Sequence, residues 1–501
     1  MLRHRWLAIL ITMLVFIAGG GGTLRFVPVN ALAETGISTP EQLQGIAGSS
    51  GEFILMNDID ASELTASIKS FSGKLNGNGH QIQNLKMPLF DVLNKATIEN
   101  VELTGLDISG AWKLEAGASD IKMGALAKEI SYSSIKNVSV MGNIDISADA
   151  NSLVGGLCGF ASRSNFTECV FDGKITVNAA NSESYVGGIA GSTWIQDAPG
   201  KYDRCITSGS IVSNGASKAY LGGITGQFTA VGWNQGSIVA CGSDMTINGH
   251  ATEMKAAGIA GIANYQSRIE ESFYSSRIDV IGEQDCLAGG IIAYGELNAS
   301  IYDCYVTDSS FTATVTENGK ESYAGGIAGL AWASGNGVMY IENCVAQGNA
   351  VKATNAGGIA GCNAHNSNFA NCYFNGADSA FGKSEGDNIP TSNVVSMTDQ
   401  QLSDPSTYSN WDDFSDTWSL NGGELSLQHV PMDEFDSEPD PTPTPTPKPT
   451  AQPTATPTAA PQKPPKTGDD SQLGLWMALL VLSVGCGCAL LIRNRRRMNH
   501  R

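Results

Sequence analysis

Val186-Gly187-Gly188-Ile189-Ala190-Gly191 decides the fold, because it comes back. It returns as Val154-Gly155-Gly156-Leu157-Cys158-Gly159, Leu221-Gly222-Gly223-Ile224-Thr225-Gly226, Ala324-Gly325-Gly326-Ile327-Ala328-Gly329 and Ala356-Gly357-Gly358-Ile359-Ala360-Gly361. Ala288-Gly289-Gly290-Ile291-Ile292 keeps the glycine pair, while Met123-Gly124-Ala125-Leu126-Ala127 and Ala257-Gly258-Ile259-Ala260-Gly261 keep one glycine. The Ile or Leu falls at 126, 157, 189, 224, 259, 291, 327 and 359, in steps of 31 to 36 residues. A fixed period of that size marks a stacked-repeat architecture, in which no unit can bury its apolar face alone.

Between the copies lie paired alternating runs: Val138/Val140 then Ile144/Ile146 around Gly142, Cys169/Phe171 then Ile175/Val177 around Gly173, and Ser272/Tyr274 then Ile278/Val280. Residues two apart share one face of a strand, so these are half-buried strands. Val186 and Ile189 are three apart and cannot both point inward from a flat strand; the glycines between them absorb the mismatch in a bend. The fold class that follows is all-β, a right-handed parallel β-helix. Val101, Val138, Cys169, Cys205, Cys241, Ser272, Cys304, Cys344 and Cys372 occupy one equivalent slot, which wants a small inward side chain. Nine cysteines precede the C-terminal apolar run, and the odd number fits buried thiols better than a disulfide framework. A few disulfides or a metal remain the alternatives.

Thr39-Pro40-Glu41-Gln42 is a helix start, with Thr as N-cap and Pro at the first position; Leu43, Ile46 and Ala47 would face the first coil as a plug. Asn76 to Gly79 is a turn. Met397 to Leu402, Tyr408, Trp411 and Trp418 are expected to form a closing cap.

The ends speak of export. Arg3, His4 and Arg5 precede an apolar run to Ala18, and Ala31-Leu32-Ala33 is a small-x-small site, placing cleavage between Ala33 and Glu34. Pro439 to Pro465 is rich in Pro and Thr; at about 3.1 Å per residue it would extend roughly 80 Å. Pro464-Pro465-Lys466-Thr467-Gly468 follows, then an apolar stretch from Leu473 to Ile492 that is long enough to span a bilayer, and a tail with five arginines. The organisation expected is a signal peptide (1–33), an N-terminal cap with first coils (34–92), the repeats (93–380), a C-terminal cap (381–435), a disordered stalk (436–463) and a sorting signal with a transmembrane helix (464–501). The alternatives are an uncleaved N-terminal anchor and an ordinary single-span protein.

The order at the C-terminus resembles the sorting signal of sortase substrates in Gram-positive-type bacteria. That resemblance implies cleavage between Thr467 and Gly468 by a sortase, and covalent attachment to peptidoglycan through Thr467. Pro464 departs from the usual Leu. Residues 37–430 resemble the GLUG-repeat β-helix proteins of bacterial surfaces, also found beside some IgA-type metallopeptidases. The Phe71-Ser72-Gly73-Lys74-Leu75-Asn76-Gly77-Asn78-Gly79-His80 stretch and the Gly-Gly-Ile-Ala-Gly copies carry it. It implies display, adhesion or spacing.

The formal charge is −19, and about −25 once residues 1–33 and 468–501 are removed with their eight Arg and two Asp. So acidic a chain excludes phosphate-backbone binding, and no nucleic-acid partner is expected. The glycine motif opens no helix and lacks a following Lys-Ser or Lys-Thr, so it is not a phosphate loop. His4, His80, His250, His365, His429 and His500 form no His-Glu-x-x-His. Asp58 with Asp60 and Asp412 with Asp413 have no EF-hand spacing and are read as turn carboxylates. No catalytic residue, metal or cofactor is assigned, and the expectation is a surface protein that is not an enzyme. The rival is a carbohydrate-active β-helix enzyme with two carboxylates on neighbouring coils. Tyr185, Tyr220, Tyr323, Trp194, Trp233 and Trp332 gather around the glycine motif and are the candidate host-protein or glycan contacts, either as an exposed strip or packed over the solenoid.

Overall fold

The computed structural model describes residues 34–232, 236–333, 337–386, 389–411 and 414–431. The chain winds into a parallel β-solenoid. One long sheet runs its length, and an 11-stranded sheet of short strands, from Ile68–Phe71 to Phe381–Glu385, closes the other side. Every described pairing between coils is parallel; the sole antiparallel pair is Trp418–Asn421 with Glu424–Leu427.

The alternating runs are inward, as expected. Val138, Val140, Ile144, Ile146, Cys169, Phe171, Ile175 and Val177 are fully buried. Burial of such side chains contributes about 1.5–3 kcal/mol each, repeated coil after coil. The runs are not parted by a chain reversal, however. Ser134–Ala148 and Ile206–Gly222 are continuous strands that bend at Gly142 (φ 141°) and Gly209 (φ 102°). Gly142, Gly173 and Gly209 stack in register, and a Cβ on Gly173 would strike the Gly142 carbonyl. Across these three coils the bend stacks glycine on glycine, while the coil before them sets Leu106 opposite Gly142.

The repeated glycine pair forms a corner. Gly187 ends one strand, Ala190 opens the next, and Val186 and Ile189 are both fully buried. A Cβ at Gly188 would meet the Gly223 carbonyl and the Thr207 methyl. Neither Gly187 nor Gly188 has a positive φ, so the requirement here is space for the neighbouring coil rather than a left-handed backbone.

The small-residue slot is one ladder. Val138 pairs with Val101, and the pairs Val170–Ile206, Ile206–Gly242, Gly242–Phe273, Phe273–Tyr305, Tyr305–Val345 and Val345–Tyr373 carry the residues before them into register. All nine described cysteines are free and buried. Burial pushes the Cys169 and Cys241 thiols well above their ordinary range. The residue preceding the slot is left-handed in every coil from Asn100 (φ 53°) through Glu168, Arg204, Ala240, Glu271 and Asp303 to Asn393 (φ 57°). Asn pays least for that conformation. Where it occurs, its amides join coil to coil: Asn137 to Asn100 (2.9 Å) and Asn393 to Asn371 (3.0 Å).

The N-terminal helix Pro40–Gln44 has Thr39 as its N-cap, whose Oγ1 accepts from Gln42 N at 3.3 Å. Leu43 and Ile46 are buried in the solenoid core, while Ala47, expected beside them, is exposed. The C-terminal segment departs from expectation more. Its helix Asp399–Leu402 forms, with a Thr398–Gln401 capping box. Yet Leu402, Tyr408, Trp411 and Trp418 do not join the solenoid core as a closing cap would. They pack instead on a flank ladder of outward residues, Ile206, Phe273, Tyr305, Val345 and Tyr373. Trp418 Nε1 reaches Asp303 (3.3 Å), and His429 Nδ1 reaches Glu271 (2.6 Å). The segment is a strap running back along earlier coils. The residues one position after the small-residue slot, Ile206, Phe273, Tyr305, Val345 and Tyr373, offer this apolar landing, whereas Val395 at the same position of the last coil is exposed.

The expected signal peptide, stalk and transmembrane helix lie outside the described residues. Among the described residues no helix is long and apolar enough to cross a membrane.

Candidate functional site

The glycine corner does more than turn the chain. On the outer surface it folds two strand faces toward each other and makes a lateral seam with a glycine floor. A Cβ on Gly191 would meet the backbone of Leu153 and Val154 across that floor. One wall is the ladder Leu153, Tyr185, Tyr220, Lys255, Leu287 and Tyr323. The other is Phe160, Ser192, Gln227, Ile262, Tyr294 and Leu330.

Lysines bridge the walls over aromatic rings. Lys122 Nζ lies 5.0 Å from the Phe160 ring centre and 2.7 Å from Glu129. Lys255 Nζ lies 5.4 Å from the Tyr220 ring and 5.7 Å from the Tyr294 ring, with Asp285 at 3.4 Å. Lys383 Nζ lies 5.9 Å from the Tyr323 ring and 2.6 Å from Glu321. Half-buried cation–π contacts of this kind contribute about 0.5–2 kcal/mol each. Tyr185 and Tyr220 stack with centroids 4.7 Å apart. Tyr185 Oη donates to Glu183, and Tyr323 Oη donates to Glu321, both at 2.7 Å. Burial and then Glu321 push the Tyr323 hydroxyl up to about 12; burial likewise raises Tyr185 and Tyr220. The phenols remain neutral donors at physiological pH.

The sequence candidates therefore divide. Tyr185, Tyr220 and Tyr323 come together in the seam, half-buried or buried, which is the packed alternative. Trp194 and Trp332 remain 38% and 39% exposed. They sit on one outer face but with Thr229, Asn264 and Glu296 in the intervening rungs, so they form two separate spots rather than a strip. Trp332 packs edge-on against Tyr294 and near His365, each 6.4 Å centre to centre. Trp233 lies outside the described residues, as do Pro464, Pro465, Lys466, Thr467, Gly468 and Ala33. Glu34 opens the described chain, 3.8 Å from Lys74. Sequence reading missed the lysine bridges and Phe160. Lys255 stood in the Tyr slot two residues before the corner, and that substitution was the available signal.

Two further groups bear on chemistry. Asp172, Ser208 and Asp244 fall in one ladder; Ser208 Oγ donates to Asp172 at 3.0 Å. Burial, and then the Asp172 charge, raise the Asp244 carboxyl to about 6. His80 is held at 3.2 Å by Asp58, which also accepts from Gln81 N, so the turn histidine is tied to the neighbouring coil. Among the described residues no three His, Cys, Asp or Glu are placed to hold a metal.

Set beside known proteins, residues 43–142 match the M26 IgA1-specific metallo-endopeptidase N-terminal region. The chain is 29% identical over 286 residues to an immunoglobulin A1 protease of Streptococcus sanguinis, covering 53% of this chain and 14% of that protein. It is 32% identical over 155 residues to the zinc metalloprotease ZmpC of Streptococcus pneumoniae, covering 28% and 8%. It therefore spans about a seventh or less of the length of these relatives. A solved IgA1 protease covers 62% of this chain at 20% identity with a TM-score of 0.36. A Bacteroides ovatus protein described as an immunoglobulin A1 protease covers 79% at 15% identity with a TM-score of 0.34. The similarity is therefore to the M26-type N-terminal region and to a minor part of these proteases. These relatives overturn the expectation that the chain is not an enzyme: those matched are named as proteases, one of them a zinc metalloprotease.

Proposed function

We propose that this chain is a cell-surface protein of the IgA1-protease type that takes part in proteolysis of a host protein, with the solenoid as its substrate-holding region. The match of residues 43–142 to the M26 N-terminal region, together with the 286-residue similarity to an immunoglobulin A1 protease, carries this reading. The geometry supports it. Strand N–H and C=O groups are consumed in the coil-to-coil ladders, so contact with a partner falls to outward side chains. Exposed aromatics are the side chains that give most per residue in recognition, and Trp194 and Trp332 flank the seam. The acidic surface favours a neutral or basic partner surface. Display follows from the ends of the chain: export through residues 1–33, then sortase transfer of Thr467 to peptidoglycan at Pro464-Pro465-Lys466-Thr467-Gly468, with the GLUG-type repeats held outside the wall.

The test compares cells carrying the chain with a strain lacking it. Immunoglobulin A1 is offered with and without a zinc chelator. Retention and chelator-sensitive cleavage should both fall in the deletion strain, and Trp194→Ala with Trp332→Ala should reduce retention several-fold. Equal retention and equal cleavage by the two strains would defeat the reading.

A further inference from the structure

The large aromatics that stay exposed among the described residues are Tyr132, Trp194, Tyr265 and Trp332, at 48%, 38%, 37% and 39%. They are not scattered. The short-sheet register carries Ser131, Ser162, Trp194, Thr229, Asn264, Glu296 and Trp332 into one outward column through seven consecutive coils. Tyr132 and Tyr265 directly follow Ser131 and Asn264, each at a left-handed corner (φ 51° and 57°). An exposed ring therefore stands on the first, third, fifth and seventh of these coils. The two tryptophans alone are separate spots, but Tyr265 falls midway between them and Tyr132 extends the row by the same step. Two coils make that step about 10 Å.

The rings are braced. Arg163, on the coil between Tyr132 and Trp194, lies 5.2 Å from the Tyr132 ring centre. It donates through Nη1 to Ser162 Oγ (3.0 Å) and through Nε to the Gln196 carbonyl. Gln196 Oε1 accepts from Trp194 Nε1 (3.3 Å), and Asp197, 3.8 Å from Arg163, balances its charge. Trp332 is held edge-on by Tyr294. The gaps between the rings are polar: Ser162 with Arg163, then Thr229, then Glu296. Thr229 Oγ1 and Asn264 Oδ1 are buried in this column without a hydrogen-bond partner among the described residues. On a chain of formal charge −19, Glu296 is the one charged member of the column.

We propose that this row is a binding site for an uncharged, extended polysaccharide of the cellulose or chitin type, lying along the solenoid axis. In such a chain every second sugar turns the same face to one side, and that two-sugar repeat matches the two-coil step. The C–H face of a sugar rests on the negative face of an aromatic ring, while its hydroxyls meet the polar gaps. Rotation of the Thr229 or Asn264 side chain presents its unpartnered oxygen to a ligand hydroxyl. The chain's own negative charge disfavours an acidic polysaccharide. A polyproline helix has a similar repeat, three residues at about 3.1 Å each. Its apolar rings need apolar grooves between aromatics, and here the gaps hold Arg163, Thr229 and Glu296. The site shares Trp194 and Trp332 with the proteolytic reading but does not rest on it.

Calorimetric titration of the purified full chain provides the test. The probes are chitohexaose and cellohexaose, with chitobiose as a short ligand, polygalacturonate as an acidic one and a polyproline peptide as the rival. A hexaose should bind, and chitobiose, which reaches one ring, should bind at least about tenfold more weakly. Tyr265→Ala, and Trp194→Ala with Trp332→Ala, should each weaken hexaose binding several-fold, while Trp194→Phe retains most of it. Met141→Ala, exposed but off the row, should leave binding unchanged. Circular dichroism of all the variants should match the parent. Absence of hexaose binding by the parent overturns the proposal, as does binding that the row variants leave intact. Polygalacturonate bound as tightly as a hexaose, or the polyproline peptide bound in preference, overturns it too. Chelator-sensitive cleavage of immunoglobulin A1 is read separately, so either reading can fail while the other stands.

Discussion

The two ends of this solenoid face the same problem and resolve it differently. The N-terminal end spends a helix on it: Leu43 and Ile46 enter the core, and the following loop takes up the first edge. The C-terminal end has a comparable length of chain available in residues 397–431, with more aromatic side chains, and lays it on the flank instead. A plug needs a complementary core end. The last coil presents only half-buried groups, Phe381, Ile389 and Val394, whereas the flank presents a column of Phe273, Tyr305, Val345 and Tyr373. The stronger apolar surface won the strap. In a stacked repeat, where each coil touches only its neighbours, a plug stabilises one end and a strap clips several coils together.

Several changes would break or sharpen that contrast. Trp418→Ala should have the largest effect, about 3–5 kcal/mol, because its ring is fully buried against Tyr305 and Trp411. The loss should be local: limited proteolysis would cut within residues 397–431 while far-ultraviolet circular dichroism keeps its strand signal. Leu43→Ala should cost about 2–5 kcal/mol, and here the damage should spread, lowering the denaturant midpoint of the first coils. If Trp418→Ala instead unfolded the coils and Leu43→Ala frayed only its helix, the assignment of plug and strap would be reversed.

Asp303 lies under the strap, and burial raises its carboxyl to about 6 against the hydrogen bond from Trp418. A raised folded value means the folded state binds more protons than the unfolded chain between about pH 4 and 6. Stability is therefore highest below the unfolded value and falls as pH rises through 6. Asp303→Asn should recover about 1–2 kcal/mol at pH 7 and flatten that dependence, read from denaturant midpoints at pH 4.5 and 7. Thr39→Ala should remove about 1 kcal/mol by stripping the N-cap, with Thr39→Ser retaining it. Val395→Lys, at an exposed position of the last coil, should change stability by less than about 0.5 kcal/mol.

Much of the coil was legible in the sequence, residue by residue. The cysteine slot was read from spacing alone and appears as one ladder, because parallel stacking repeats each inward position at the period of the coil. The N-terminal helix was legible from Thr39-Pro40 because capping is local chemistry. The expected closing cap failed for the opposite reason: Tyr408, Trp411 and Trp418 announce a buried surface but not which one. The aromatic site was half legible. Tyr185, Tyr220 and Tyr323 were found by their place before the glycine corner, but nothing in a linear pattern shows that the corner folds Tyr294 and Lys383 against them.

By itself the sequence determined the periodic part of this protein: which residues point inward, where the coil must turn, and which end begins with a helix. Those follow from short-range sterics and from a repeat that copies one environment many times. Only the tertiary structure decided where the non-repeating chain goes, how the lysines bridge the two walls of the seam, and which edge is left open. Those outcomes depend on surfaces that exist only after the coils have stacked, and no window of sequence contains both sides of such a contact.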